Sequence, residues 1–274
     1  MSKKKKLTHD QIIEKLRDDK EYYGEFGRQY LSNSNIQDLQ PKTFKQFGQV
    51  KEDNENFIKG RYFHQLILEP NKAKIFPIFG ETKTRGVKYE KYLQDNDLAS
   101  AILEHEAILM EELRDELLNV KGHEGAKQQV AELITDKDAE YEVPIIGEIF
   151  GHPFKAKADV LIPSKGIVID LKTTTAKTDD EFVWLGKNKY FYDTQAFIYQ
   201  ALFKKSMTFI AIDKNKKVYG DTGETYHEIY VCPTSEETIL EGKKKVEAAV
   251  QLYEYYHGKD KKEDIRNVIY NLKF

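Results

Sequence analysis

The sequence holds one cysteine, seven prolines and no apolar run much longer than a β-strand. With Cys232 alone, the chain forms neither an internal disulfide nor a thiolate zinc site, so we expect a reducing compartment, the cytoplasm. Apolar stretches such as residues 166–171 are far too short to span a bilayer. No apolar segment follows the basic start, so we expect neither a signal peptide nor a membrane anchor.

Neither sign of charge is in large excess, because the 274 residues carry a net charge of −3 although 32% are charged. The pI of about 6.2 is not the basic value typical of a nucleic-acid binder. A small basic groove around acidic residues would average to the same value, so DNA as a substrate is not excluded. The lysine run at residues 3–6 is most simply a solvated tail, with contact to phosphates as the minority alternative.

The first half of the chain has the three-to-four-residue apolar period of helices. Polar residues at 32–35 are typical helix caps, and Pro41 is typical of a helix start. Gly122 and Gly125 interrupt the last part of the pattern. We predict helices over residues 8–30, 36–39, from Pro41 onward, 57–68, 89–120 and 126–134.

From residue 141 the pattern becomes extended, β-branched and divided by Gly- and Pro-containing turns. We predict strands over residues 141–149, 154–162, 166–172, 207–213 and 224–232, with helices over 193–203 and from Ser235 to about His257. This order predicts an α/β fold with a mixed central sheet flanked by helices. We expect one domain over residues 1–274, with a mainly helical part (1–135) and a sheet core (136–258).

The most informative stretch is KAKADVLIPSKGIVIDLKTT, residues 155–174. Asp170 and Lys172 share one face of a strand because side chains alternate, and Leu171 points to the other face. If the two strands of this stretch pair as a hairpin, Asp159 approaches Asp170, and two adjacent carboxylates favour a bound cation. Oxygen ligands suit Mg²⁺ or Mn²⁺. The alternative is an ordinary surface Asp–Lys pair, but the apolar strand GIVID places this end near the core.

Three further residues have both a functional and a structural interpretation. Gln195 and Tyr199 lie four positions apart on one predicted helix and therefore face the same way. A buried tyrosine with a polar tip is the simpler explanation of Tyr199. His64, in GRYFHQLILEP, lies among apolar helix residues, where a lone histidine is more often structural than a metal ligand.

Taken together, these residues resemble the PD-(D/E)XK nuclease superfamily, in the branch of the RecB nuclease domain and the RecE-like phage exonucleases. The pattern His…Asp…(Asp/Glu)-X-Lys…Gln-X-X-X-Tyr is matched in order. The segments YLSNSNIQDL, GRYFHQLILEP and KTRGVKYEKYL are similar to the phage and prophage RecE-type group. Ala158 stands where the superfamily is named for proline. The matching residues are His64, Asp159, Asp170, Leu171, Lys172, Gln195 and Tyr199.

The resemblance implies a restriction-endonuclease-like core with a divalent metal site. Asp159 and Asp170 would be its carboxylate ligands, with the Leu171 carbonyl and His64 as further ligands. The expected cofactor is Mg²⁺, for which Mn²⁺ can substitute. Asp170 is shorter than the glutamate common at its position, which leaves the metal geometry open.

The resemblance also assigns roles around the metal. Lys172 would position and activate the attacking water, and Gln195 and Tyr199 would contact the DNA backbone or order the site. For other basic and hydroxyl side chains, phosphate contact and a plain solvated surface are equally good interpretations. The residues that we consider for DNA contact are Arg61, Lys83, Arg85, Thr173 and Thr174.

The activity that the resemblance implies is a Mg²⁺-dependent deoxyribonuclease. The first choice is a 5′-to-3′ double-strand exonuclease of phage recombination type that leaves 3′ single-stranded ends. It would act on duplex DNA ends, assemble as a ring-shaped trimer or tetramer and work with a single-strand annealing protein. A structure-specific or restriction-like endonuclease and a catalytically inactive DNA-end-binding protein are the alternatives.

Overall fold

The structure, a computed structural model, describes residues 7–41, 43–49, 54–81, 84–118, 125–220 and 222–267. Within these ranges, no helix is long and apolar enough to cross a membrane. The helices are α1 (His9–Leu16), α2 (Asp19–Tyr23), α3 (Asn33–Asp38), α4 (Glu55–Leu68), α5 (Pro70–Ala73), α6 (Val87–Asp95), α7 (Glu104–Leu118), α8 (Ala126–Ile134), α9 (Asp179–Leu185), α10 (Tyr192–Phe203) and α11 (Glu236–His257). The strands are β1 (Ile78–Phe79), β2 (Ile102–Leu103), β3 (Glu140–Ile149), β4 (His152–Ile162), β5 (Ile167–Thr174), β6 (Ser206–Val218) and β7 (Thr225–Pro233).

The central sheet has five strands in the order β3-β4-β5-β6-β7. Strands β3, β4 and β5 form an antiparallel meander, β6 runs parallel to β5, and β7 is antiparallel to β6. Helix α10 forms the connection that a parallel β5–β6 pair requires. The predicted α/β fold with a mixed sheet is confirmed. The five predicted strands and the two helices predicted in the second half of the chain, α10 and α11, are also present.

Apolar side chains cover both faces of the sheet. On one face, residues such as Ile169 and Leu171 pack against α4, α7 and α8. On the other face, residues such as Phe154 and Val168 pack against α10 and α11. Each fully buried aliphatic or aromatic side chain of this kind stabilises the fold by roughly 1.5–3 kcal/mol. The sheet is therefore held rigidly between two helical layers, and residues at its strand ends are held with it.

Three helix predictions in the first half are wrong in detail. Residues 8–30 form α1, α2 and a 3₁₀ turn (Gly27–Gln29), because the Asp18 side chain accepts a bond from the Lys20 amide and starts α2. Gly24 ends α2, and a Cβ at Gly24 would lie 2.1 Å from the Lys20 carbonyl oxygen. Pro41 opens no helix in the described residues that follow it; a single 3₁₀ turn occupies Phe44–Gln46.

The predicted helix over residues 89–120 is also interrupted. Strand β2 separates α6 from α7 and pairs in parallel with β1. The end of that prediction, residues 119–120, and Gly122 lie outside the described residues, as does the lysine run at residues 3–6. Helix α9 was not predicted, although Thr178 followed by acidic residues is a helix-start signal: its hydroxyl accepts a bond from the Glu181 amide.

Candidate metal centre and active site

The site lies where β4 and β5 stop pairing. The last ladder pair is Val160 with Ile169, and the next residue outward on each strand is Asp159 or Asp170. The Leu171 amide donates a 2.7 Å hydrogen bond to Asp159 Oδ2, so the carboxylate fills the gap between the diverging strands. The predicted pairing of these two strands as a hairpin is confirmed.

Asp170 is buried and held by two donors. Lys172 Nζ lies 2.5 Å from Asp170 Oδ1 and 2.7 Å from Oδ2, as the shared strand face predicts. From α10, Gln195 Nε2 donates a 2.7 Å bond to Asp170 Oδ1. Leu171 is fully buried in the opposite apolar cluster. The two predicted faces of β5 are therefore confirmed.

Helix α4 brings His64 to the same strand ends. Its Nε2 atom lies 2.9 Å from the Leu171 carbonyl oxygen, and its Nδ1 atom lies 3.5 Å from Asp159 Oδ1. The α4 neighbours Phe63 and Leu66 are buried in the core, which fixes the helix against the sheet. The histidine is therefore aimed at Asp159 and is not only a packed helix residue.

Glu142 on β3 also lies in the site, although nothing in the sequence motif pointed to it. Ligand atoms of His64, Glu142 and Asp159 all lie within 4.8 Å of one another. Among the described residues, these three form the group of histidine and carboxylate side chains that is close enough to share a metal ion. The β3–β4 register places Tyr141 opposite Val160 and Val143 opposite Ala158, so Glu142 is level with Asp159.

The local backbone explains how Glu142 turns toward the site. Glu142 has φ of 51°, in the left-handed region that non-glycine residues rarely adopt. On β4, Ala158 packs in one core cluster and Val160 in the other, so the normal alternation of faces is interrupted at Asp159. Both strands depart from regular pleating at the level where their carboxylates meet.

The charges of the site perturb one another strongly. Burial opposes charge on His64, but the carboxylate of Asp159 outweighs it and raises the pKa of the imidazole to about 9. Burial together with the charge of Asp159 raises the pKa of Glu142 to about 7. Burial also raises the pKa of Asp170 against the opposing charge of Lys172. Burial would raise the pKa of Asp159, but His64 lowers it below its usual value.

These observations fit a divalent cation. Carboxylates that raise one another's pKa lack sufficient positive charge around them, and a metal ion supplies that charge. An imidazole, three carboxylates and a nearby backbone carbonyl form a mixed donor set that Mg²⁺ or Mn²⁺ accepts. The groups that could hold it are His64, Glu142, Asp159, Asp170 and the Leu171 carbonyl.

Tyr199 lies one helical turn from Gln195 but contacts a different group. Its hydroxyl donates a 2.8 Å bond to the Lys157 carbonyl of β4, and burial raises its pKa well above the usual value. The contact fixes α10 against β4 two residues before Asp159. This geometry fits an ordering role, and a role in DNA contact stays a prediction.

Three of the residues considered for DNA contact have hydrogen-bond partners within the protein. Arg61 Nη2 donates to Ser100 Oγ at 3.1 Å. Arg85 forms a two-pronged pair with Glu106 at 2.8 and 3.1 Å. Lys83 lies outside the described residues. Thr173 and Thr174 end β5, and the Thr174 hydroxyl accepts a bond from the Ala176 amide. For all five, DNA contact stays a prediction.

A family model described as a PDDEXK-like domain of unknown function (DUF3799) matches residues 38–263. No curated protein matches the chain. Among solved structures, a protein described as a proposed exonuclease from Eubacterium rectale has 16% identity and a TM-score of 0.56, over 86% of this chain and 85% of that chain. A phage-related exonuclease from Haemophilus somnus 129PT has 13% identity and a TM-score of 0.36, over 82% of this chain and 93% of that chain. An alkaline exonuclease from Laribacter hongkongensis has 15% identity and a TM-score of 0.33, over 83% of this chain and 90% of that chain. At 16% identity the likeness to the Eubacterium rectale protein is one of fold.

Proposed function

The chain belongs to the PDDEXK-like family whose model covers most of it, and on that premise we propose that it is a Mg²⁺-dependent deoxyribonuclease. In its finer form, the proposal is a 5′-to-3′ exonuclease that digests duplex DNA from an end and leaves a 3′ single strand. The observation that carries the proposal is the convergence of His64, Glu142, Asp159 and Asp170 with Lys172 at the diverging ends of β4 and β5.

The carboxylates bind the cation in this proposal, and His64 adds a nitrogen ligand. A bound Mg²⁺ would supply Lewis-acid stabilisation to the charge that develops on the phosphate. Asp159 is already oriented by the Leu171 amide and Asp170 by Gln195. Their positions therefore need little rearrangement on metal binding, which favours catalysis by preorganised charges.

In this proposal Lys172 acts on the attacking water and the phosphate. Asp170 raises its pKa above the usual lysine value against the effect of burial, so the ammonium stays charged. A charged ammonium at this position donates to the attacking water and to a phosphate oxygen, and its effect is greatest in the transition state. Gln195 and Lys172 both donate to Asp170 Oδ1 and together orient the carboxylate.

The requirement for a DNA end is supported by segments outside the catalytic motif. The stretches SNSNIQDL and GRYFHQLILEP resemble the end-digesting phage group, whereas the motif alone is shared by endonucleases. A ring-shaped trimer or tetramer that encloses DNA would remain on its substrate between cleavages. We extend the proposal to such an assembly and to a single-strand annealing protein as the user of the 3′ strand.

The test compares linear duplex DNA with covalently closed circles of the same sequence, each in Mg²⁺ and in EDTA. We expect mononucleotides to accumulate from linear duplex in Mg²⁺ only, while circles stay intact. Duplexes labelled at one 5′ or one 3′ end identify the strand that is digested. The Asp170→Ala variant, purified in parallel, controls for contaminating nucleases.

Each failure identifies a different alternative. Prompt nicking of closed circles would replace the exonuclease with an endonuclease on the same fold. Binding to DNA ends without hydrolysis in any divalent metal would replace the enzyme with an end-binding protein. Release of label from the 3′ end first would reverse the proposed polarity.

A further inference from the structure

An aromatic stack runs outward from the site to the protein surface. Phe209 of β6 is buried, and its ring stacks on Tyr192 with a centroid distance of 5.0 Å and an interplanar angle of 23°. Tyr192 stacks in turn on Tyr190 at 5.6 Å and 25°. Tyr190 is 38% exposed. Three nearly parallel rings thus lead from the core to solvent.

Lysine ammonium groups flank the two outer rings. Lys172 Nζ lies 5.2 Å from the centroid of Tyr192, so the middle ring of the stack contacts the lysine of the proposed active site. Lys189 Nζ lies 5.2 Å from the centroid of Tyr190 at the outer end. Lys187 is paired with Glu241, whereas Lys189 has no carboxylate partner among the described residues. The stack therefore combines flat aromatic faces with positive charge at its middle and outer rings.

The backbone that carries the stack has an uncommon conformation. A π-helical turn (Gly186–Tyr190) follows α9, and Phe191 then adopts φ of 54°. Gly186 lies under the Tyr192 ring, and a Cβ at this position would lie 2.7 Å from Tyr192 Cδ2. The Gln37 side chain also donates a 2.8 Å bond to the Tyr190 carbonyl. Rare π turns and left-handed residues persist where the surrounding contacts fix them, frequently at functional sites.

From this arrangement we infer that Tyr190 and Lys189 form a binding site for single-stranded DNA, in which a base stacks on Tyr190 and its phosphate contacts Lys189. The inference rests on the proposed nuclease function, because Tyr192 joins Tyr190 to Lys172 and the stack would lead one strand of the substrate into the site.

Single-stranded DNA is the occupant that both features of the surface match. Base stacking on aromatic side chains holds single strands with little sequence preference, and lysine supplies the charge for the backbone. A base within a duplex already stacks on its neighbours, so its face is not available to Tyr190. The Lys189 side chain is exposed and flexible, and its contact with an exposed ring is weaker than base stacking. A base can therefore displace the ammonium toward the phosphate.

The test measures binding of a thymidine oligonucleotide of about 12 nucleotides by fluorescence anisotropy, with Ca²⁺ in place of Mg²⁺. Oligonucleotide integrity is checked after each titration. The variants are Tyr190→Ala, Tyr190→Phe and, as a matched control, Tyr219→Ala. Tyr219 is also an exposed tyrosine in a stacked pair, with Tyr226 at 4.2 Å, but it lies beyond the end of β6. We expect Tyr190→Ala to bind about tenfold more weakly, and the other two within about twofold of the unchanged protein.

An abasic oligonucleotide of the same length separates stacking from phosphate contact. Removal of the bases should weaken binding to the unchanged protein about as much as Tyr190→Ala does, and should affect the Tyr190→Ala variant little. Equal affinity of Tyr190→Ala and the unchanged protein would overturn the inference. So would an equal loss of affinity in both proteins when the bases are removed.

Lys189→Gln decides the question if Tyr190→Ala melts at a much lower temperature than the unchanged protein. Loss of one phosphate contact should lower the slope of log affinity against log salt by about one, and an unchanged slope would overturn the inference. Oligonucleotide binding through Tyr190 without any hydrolysis would reject the proposed function and keep the site. Hydrolysis of linear duplex with a fully active Tyr190→Ala that keeps its affinity would reject the site alone.

Discussion

The carboxylate of Glu106 is buried and those of Glu142, Asp159 and Asp170 are buried or half-buried, but their partners differ. Glu106 is paired with Arg85 through two bonds and with Lys59 at 3.2 Å, and it accepts the Leu103 amide. Burial would raise the pKa of Glu106, but Arg85 lowers it below the usual value. In the Asp159 cluster, by contrast, the pKa of Glu142 rises to about 7.

This difference separates a structural charge cluster from a binding one. The Glu106 cluster contains its own counter-charges, so it needs no ligand and joins α7 to the loop before α6 and to α4. In the Asp159 cluster the pKa values of Glu142 and Asp170 are raised although Lys157 lies 3.3 Å from Glu142 and Lys172 contacts Asp170, which leaves a need for positive charge that a metal ion can meet. Removal of Glu142 or Asp170, whose pKa values are raised, should therefore have the opposite effect on stability to removal of Glu106.

The largest effect is expected from Asp159→Ala and Asp170→Ala. Each should lower the rate of DNA hydrolysis by about a thousandfold or more, because a metal ligand and a preorganised charge are lost together. The melting temperature of the metal-free Asp170→Ala protein should hold or rise, because a carboxylate whose pKa is raised by burial is removed, whereas Asp159→Ala should lower it, because His64 and the Leu171 amide lose their partner. Hydrolysis assays and thermal melting in EDTA measure both effects, with Asp138→Ala, an exposed aspartate, as the control. Full activity of either variant at ordinary Mg²⁺ would contradict the site.

Lys172→Ala should lower turnover by about a hundredfold, because a charge that acts on the water or the transition state contributes mainly to the chemical step. DNA affinity measured in Ca²⁺ should stay within a few fold. Single-turnover hydrolysis and equilibrium binding separate the two quantities. A parallel collapse of affinity and rate would make Lys172 a phosphate anchor instead.

Glu106→Gln should act on stability and leave chemistry unchanged. The substitution leaves Arg85 and Lys59 without their buried counter-charge, which costs about 3 kcal/mol in the free energy of unfolding. Urea denaturation measures the loss, and Glu104→Gln, an exposed residue on the same helix, is the matched control. Turnover per folded molecule should be unaltered. A variant as stable as the control would remove the distinction between the two clusters.

Glu142→Gln should reveal the unbalanced charge through pH. Burial beside Asp159 raises the pKa of Glu142 from 4.5 to about 7, so the folded protein holds this proton more tightly than the unfolded chain. The stability that this proton provides is complete below pH 4.5 and is lost as pH rises to about 7. With the side chain 22% exposed, the loss amounts to about 2 kcal/mol.

Urea denaturation in EDTA at several pH values between 4.5 and 7 tests this prediction. The difference in stability between Glu142→Gln and the unchanged protein should grow in favour of the variant across this range. If the stability of the two proteins changes with pH in the same way, the pKa of Glu142 is not raised by its surroundings and the prediction is wrong.

Local sequence patterns were sufficient for the sheet core. Strands β3 to β5 are alternating or apolar runs between glycine and proline turns, and α10 and α11 have regular apolar periods, so neighbouring residues alone determine them. The proximity of Asp159, Asp170 and Lys172 could be predicted for the same reason, since the spacing within one hairpin brings them together.

Features that depend on non-local contacts were missed. Strand β2 has two residues and no period of its own; its partner β1 lies more than 20 residues earlier. Glu142 reaches Asp159 only through the β3–β4 register and an irregular backbone, neither of which the spacing of acidic residues encodes. His64 could be proposed only through family resemblance, because its position against Asp159 depends on how α4 packs on the sheet.

The left-handed backbone of Glu142 has a consequence for attempts to stabilise this protein by directed evolution. A glutamate in this conformation lowers the free energy of unfolding by about 1 kcal/mol relative to a glycine at the same position. Asparagine tolerates the conformation better than most residues. Libraries selected for heat resistance alone should therefore enrich Gly and Asn at position 142. The same clones should bind divalent metal more weakly, so a screen that ignores metal affinity would discard function while it gains stability.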